Sequence, residues 1–240
     1  SAIDGRFGLL EVFGGQDARP QALVADLGKR WATENVYVKV YPCCSWIQAA
    51  VQQLVGLRGA RVFAPDEIAR IRIGVSAYAA KNNGAVAPPD IMGAQYSFPY
   101  CAALALTNDP TDPAMYTEEA INHRERRELA RRVELYVDAE MEAAYPKHYG
   151  SRIEVRLADG KQLQSFVLDP HGMPADPVTE AERIAKFSRL AAPALSADTA
   201  GEIIRKVRTV NALASVRELS ALLRVTPSPF AGEGRDGGKV

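Results

Sequence analysis

The sequence predicts an α+β fold, a mixed α/β domain with an antiparallel hairpin, flanked by helices of an all-α layer that is incomplete. Three observations carry this. Apolar residues alternate with polar ones at 71–75, 133–137, 153–157 and 163–168, the period of half-buried strands. Apolar residues recur at helical spacing at 20–34, 44–57, 179–190 and 201–223. Asp159-Gly160 sits between two alternating runs, a strong short-range hairpin signal.

In chain order, Phe7 to Phe13 followed by Gly14-Gly15 reads as a short helix closed by glycines, so the chain is expected to begin mid-fold. Leu23, Val24, Leu27 and Trp31 form one helical face behind Pro20. Val36, Val38 and Val40 alternate with Tyr37, Lys39 and Tyr41 and predict a strand ended by Pro42. A helix from about Cys44 to Leu57 follows, with Ser45 available as its cap. Ile71, Ile73 and Val75 predict a strand, and Lys81 to Pro89 a loop. Gly93 to Thr107 is the least polar stretch and reads as a buried helix broken or started near Pro99. Glu118 to Arg132 interleaves arginines with glutamates, as on a solvated helix face. Three more strands follow at 133–137, 153–157 and 163–168, making about five in all. Beyond the Pro- and Gly-rich loop 169–178 the chain is helical by period, with Asp198 or Thr199 as a cap for the second helix.

These readings divide the chain into a helical segment at 1–34, an α+β domain at 35–170, C-terminal helices at 171–226 that pack with the first segment, and a tail at 227–240. The tail is too poor in apolar residues to offset backbone entropy and is expected to be disordered. Such a fragmentary helical layer needs a partner: either another polypeptide or a larger helical domain in front of this chain.

Composition narrows the function. Among 240 residues, 29 basic side chains balance 29 acidic ones, so no global field would draw the chain to nucleic acid or an anionic membrane. No apolar run approaches the ~18 residues of a membrane span. Cys43, Cys44 and Cys101 do not make a disulfide framework, and with no export signal the expected compartment is the cytoplasm. His123, His148 and His171 lie too far apart for metal-ligand spacing, and no phosphate-binding, dinucleotide-binding or nucleophile-elbow motif is present.

Two stretches carry chemistry. In Lys39-Val40-Tyr41-Pro42-Cys43-Cys44-Ser45, a lysine stands at the mouth of a predicted helix, where an ammonium and the helix N-terminus attract an anion; the alternative is a surface lysine on an edge strand. Cys44, near the same helix start, is either a reactive thiol or an inert core one. In Gln95-Tyr96-Ser97-Phe98-Pro99-Tyr100, a tyrosine lies in an apolar segment and is either a proton donor to a substrate or a core phenol satisfied by a carbonyl.

These motifs, the Asp-Gly hairpin, the run from Gly172-Met173-Pro174 through Val178-Thr179 to Lys186-Phe187, and the opening Ala2-Ile3-Asp4-Gly5-Arg6-Phe7-Gly8 together resemble the MmgE/PrpD family. That family comprises 2-methylcitrate dehydratases, cis-aconitate decarboxylases and iminodisuccinate epimerases, and the resemblance covers the second half of its members. It implies the lid and C-terminal part of a lyase acting on small di- or tricarboxylates, with neither metal nor organic cofactor. The reaction implied is 2-methylcitrate dehydratase-like, proton abstraction next to a carboxylate with loss of water. By resemblance Lys39 and Tyr100 are the catalytic candidates, sharing one water-exposed concave surface, and Cys43, Cys44, Ser45, Gln48 and Gln95 are candidates for lining the substrate pocket. The expected partners are a small carboxylate, a missing N-terminal helical domain or a homologous subunit, and a second copy in a homodimer. The alternative is a noncatalytic relative that binds a small acid or pairs with a fuller subunit. Alone, the chain is expected to be inactive.

Overall fold

The computed structural model describes residues 1–59 and 61–224, so the tail expected to be disordered lies outside the described residues. The chain divides into two compact units, Ser1–Val38 with Gly172–Pro177, and Lys39–His171 with Val178 onward.

The first unit contains only single turns: Leu10–Gly14, Gly15–Asp17, Pro20–Leu23 and Ala32–Asn35. The continuous helix expected over 20–34 is therefore corrected. A helix this short is held by packing its apolar face, and here Leu27 and Trp31 are 78% and 63% exposed, while Gly28 takes a positive φ of 76°. The strand expected at 36–41 is also absent. Alternation needs a neighbouring strand to become a ladder, and the main-chain bonds of this stretch within the unit run from Val36 N–H to the Thr33 carbonyl at 3.3 Å and from Val38 N–H to the Gly172 carbonyl at 3.0 Å, not to a strand.

In the second unit, α1 (Ser45–Arg58) leads to β1 (Ile68–Val75). Four short helices and one longer one cross to the next strand: α2 (Ala77–Asn82), α3 (Ile91–Gln95), α4 (Phe98–Thr107), α5 (Glu118–Ile121) and α6 (Arg124–Ala130). Then come β2 (Val133–Val137), α7 (Ala139–Ala144), β3 (Ser151–Leu157) and β4 (Gln162–Val167). The sheet order is β2-β1-β3-β4, with β1 parallel to β2 and antiparallel to β3, and β3 antiparallel to β4. Among the described residues four strands stand where about five were expected, which confirms the α+β class with a smaller sheet.

One face of the sheet is apolar because alternate residues, Ile71, Ile73, Ile153 and Val155 among them, are buried beneath α1 and α4. The other face carries charge: Arg72 pairs with Glu154 at 2.9 Å and lies 4.5 Å from the centre of the Tyr136 ring. The hairpin turns at Asp159-Gly160, where Gly160 has φ 90° and its N–H bonds the Leu157 carbonyl at 3.0 Å. Ser97 caps α4, its hydroxyl accepting from Tyr100 N–H at 3.0 Å, and Pro99 sits in the first turn.

The surface helix expected over 118–132 is two helices. Arg126 is buried and donates to the Ala120 carbonyl and to Asn108 Oδ1, so this face is not wholly solvated. α7 was not visible as a periodic run. It forms because Asp138 caps it, accepting from Glu140 N–H and Met141 N–H at 3.0 and 3.2 Å. α8 (Glu180–Ala191) starts at a reciprocal cap between Thr179 and Glu182. α9 (Ala197–Arg208) is capped by Ser196 rather than by Asp198 or Thr199, whose places fall inside the first turn. A break near Thr209 separates α9 from α10 (Arg217–Leu222). No helix among the described residues is long and apolar enough to cross a membrane.

Gln53 ties α1 to the sheet. Its buried amide donates to the Ala49 carbonyl at 3.0 Å and to the Ser151 carbonyl and hydroxyl at 3.0 and 2.8 Å. Gln53→Leu should leave the Ser151 groups without that donor and cost about 1–3 kcal/mol in urea unfolding, whereas an unchanged midpoint would show the bond to be dispensable.

Candidate functional site

The site begins where the second unit begins. Lys39 is half-buried, and its main-chain carbonyl accepts a hydrogen bond from the Lys186 ammonium on α8. From Lys39 the chain bends through Pro42 into α1, and one side chain sets that bend. Gln48 donates from Nε2 to the carbonyls of Tyr41 (2.8 Å) and Cys43 (3.1 Å) and accepts from Tyr41 N–H at 3.1 Å. Gln48 is 2% exposed, and these bonds give it the task of holding the turn that follows Lys39; a pocket-lining role for it stays a proposal.

The cysteines are also structural. Cys43 is buried, and burial followed by the neighbouring Cys101 thiol pushes its pKa well up; Cys44 is pushed up chiefly by burial. Burial that raises both thiols favours the core reading of Cys44 over a reactive one, and a pocket-lining role for Cys43 and Cys44 stays a proposal. Lys39 lies close enough to both to oppose those shifts. Cys44 donates its N–H to the Gln95 carbonyl at 2.8 Å, which joins the end of α3 to the start of α1. Ser45 and Gln95 are half-buried at that junction.

Tyr100 differs from its expected setting. It is 1% exposed, its hydroxyl donates to the Met115 carbonyl, its ring meets Tyr116 edge-on at 6.0 Å, and burial raises its pKa. Because α4 is enclosed on every side, a phenol there must find a partner within the core, and Tyr100 and Lys39 do not share a water-exposed surface.

Three features were not singled out from the sequence as site residues. Lys186 stood out only as part of a motif; it is half-buried, with its pKa held below the usual lysine range by desolvation and then by Arg189 and Lys39. His148 Nδ1 meets Asp169 Oδ2 at 2.6 Å, and His171 Nε2 meets Glu182 Oε1 at 3.1 Å. No local signal announces these pairs, whose members are brought together by the hairpin and by α8. Among the described residues, no group of three or more His, Cys, Asp or Glu is arranged to hold a metal ion.

A family model for the MmgE/PrpD C-terminal domain matches residues 41–212. The chain belongs to the MmgE/PrpD family. The matched stretch begins two residues after Lys39 and runs through the sheet and α9 to Ala212, so it takes in Lys186 and leaves Lys39 just outside its start. A relative of this MmgE/PrpD chain is the cis-aconitate decarboxylase-like protein oryM of Aspergillus oryzae, 25% identical over 214 residues. The alignment takes in 85% of this chain and 44% of that protein, so the chain spans less than half the length of the curated relative it matches.

The environment of Tyr100 generates a test. Tyr100→Phe should strand the Met115 carbonyl and lower stability by about 1–3 kcal/mol in urea unfolding, and an unchanged midpoint would show that the hydroxyl is not held by that carbonyl.

Proposed function

We propose that this chain is the lid and C-terminal part of a cofactor-independent lyase acting on small di- or tricarboxylates, in which Lys39 holds a substrate carboxylate. The observation that carries the reading is the position of Lys39 on a turn fixed by Gln48 at the mouth of the 14-residue α1, with the Lys186 ammonium bonded to its main chain. Positive charge fixed in this way binds a carboxylate and stabilises the negative charge that builds when a proton leaves the neighbouring carbon. A dehydration of the 2-methylcitrate type uses that stabilisation as water departs. Membership of the MmgE/PrpD family and the decarboxylase-like name of the fungal relative support this class of chemistry. The acid and base that move the proton belong, in this reading, to the longer protein of which such a domain is a part, in a homodimer or beside a homologous subunit.

The sealed hydroxyl of Tyr100 favours a second reading, a noncatalytic module that binds a small acid. Both readings require carboxylate binding at Lys39. By calorimetric titration with citrate, Lys39→Ala should weaken binding by about 1.5–3 kcal/mol, the worth of a hydrogen bond to a charged group. Unchanged affinity would refute both. Dehydratase activity in a protein carrying an N-terminal helical half, lost on Lys39→Ala, would decide for the enzyme.

A further inference from the structure

Two lysines meet at one point of this fold, and among the described residues neither is ion-paired to a carboxylate. The Lys186 ammonium has three donors, and the structure gives one of them to the Lys39 carbonyl. Its direction is set by more than its own flexibility. Glu182, one turn earlier on the same face of α8, accepts from Thr179 N–H at 2.7 Å and faces His171 Nε2 at 3.1 Å; His171 N–H in turn donates to Gln52 Oε1 on α1 at 2.7 Å. These contacts fix which face of α8 is turned to α1, and Lys186 lies on that face. Its stem is half-buried, so the charge is partly desolvated.

The charged groups around it do not compensate. Lys39 and Arg189 are the charges that bear on Lys186, and both are positive. Glu182 is occupied by Thr179 and His171. Asp109 is bonded to Thr111 at 2.6 Å and responds to Arg189 and Arg58. Bringing two ammoniums together in partial burial is unfavourable unless an anion completes the arrangement.

We propose that Lys186 is the second cation of the carboxylate site, and that with Lys39 it selects ligands bearing two or more carboxylates over those bearing one. The inference rests on the reading of Lys39 as a carboxylate ligand. One carboxylate engages one ammonium well; a second carboxylate on the same molecule then meets the other ammonium at a high effective concentration.

The test uses the chain as it stands, with citrate as the polycarboxylate, acetate as the monocarboxylate, and affinities read from NMR chemical-shift titrations. Lys186→Met should lower citrate affinity about tenfold and acetate affinity less than twofold, and Lys186→Arg should retain most of the preference. Equal citrate affinity in Lys186→Met and the unaltered chain overturns the proposal. So does an equal loss for citrate and acetate, which would make Lys186 only a prop for the Lys39 turn. If the unaltered chain binds neither anion, the reading of Lys39 fails first and this proposal with it. Should Lys186→Met not fold, the unaltered chain decides: saturating citrate should slow acylation of Lys186 several-fold in peptide mapping while acetate does not, and equal rates would overturn the proposal.

Discussion

Nine consecutive residues of α4, from Phe98 to Leu106, are closed off from solvent, and the second unit is arranged to close them off. α1 and α6 lie against this helix, and β2 packs against it as well. Each large apolar side chain buried this way contributes on the order of 1.5–3 kcal/mol, so Phe98, Leu104 and Leu106 alone are a substantial part of a typical domain's stability. The enclosure has a chemical effect. Every polar group on α4 must be answered from within, which is why the Tyr100 hydroxyl ends on a carbonyl and Cys101 lies against Cys43. The buried Cys43 in turn anchors the turn whose first residue is Lys39.

How much of this is legible in the sequence depends on whether a feature is local. The low polarity of 93–107 with Pro99 near its middle foretells α3 and α4, and Asp159-Gly160 foretells the hairpin, because local chemistry alone decides both. The alternation at 36–41 misleads, since a strand exists only when another strand lies beside it. Leu23, Leu27 and Trp31 mislead in the same way, because a helical stripe without a surface to cover does not hold a helix. Gln48 has the residue type of a ligand-binding side chain, and only the fold shows its amide committed to Tyr41 and Cys43. His148 and Asp169 stand 21 positions apart, and no pattern along the chain joins them. The family motif was readable throughout; the meeting of Lys186 with Lys39 across 147 positions was not.

Charge is handled in two ways. On the outer face of the sheet, Arg70 and Arg72 have acidic neighbours in Glu134 and Glu154, part-solvated pairs that are individually weak, whereas Arg152 pairs with the buried Asp138. Arg152 and Asp138 add a cap to α7, so that pair also shapes the chain. Near the start of α1 the pattern reverses, with ammonium groups gathered and the nearby acids turned to other partners. The same count of charges over the whole protein, 29 of each sign, thus hides a local excess. A net charge of zero describes the average field and says nothing about a site.

The grip of Gln48 on the turn before α1 also has an entropic side. A loop that is disordered before a ligand arrives loses about 1–2 kcal/mol for each residue whose backbone must then be fixed. Here Tyr41 and Cys43 are already fastened to the first turns of a helix, so folding itself has met that loss. If an anion binds at Lys39 as proposed, it would have chiefly lysine side-chain torsions left to still, and its affinity would report the strength of the contact with little deduction for ordering the main chain.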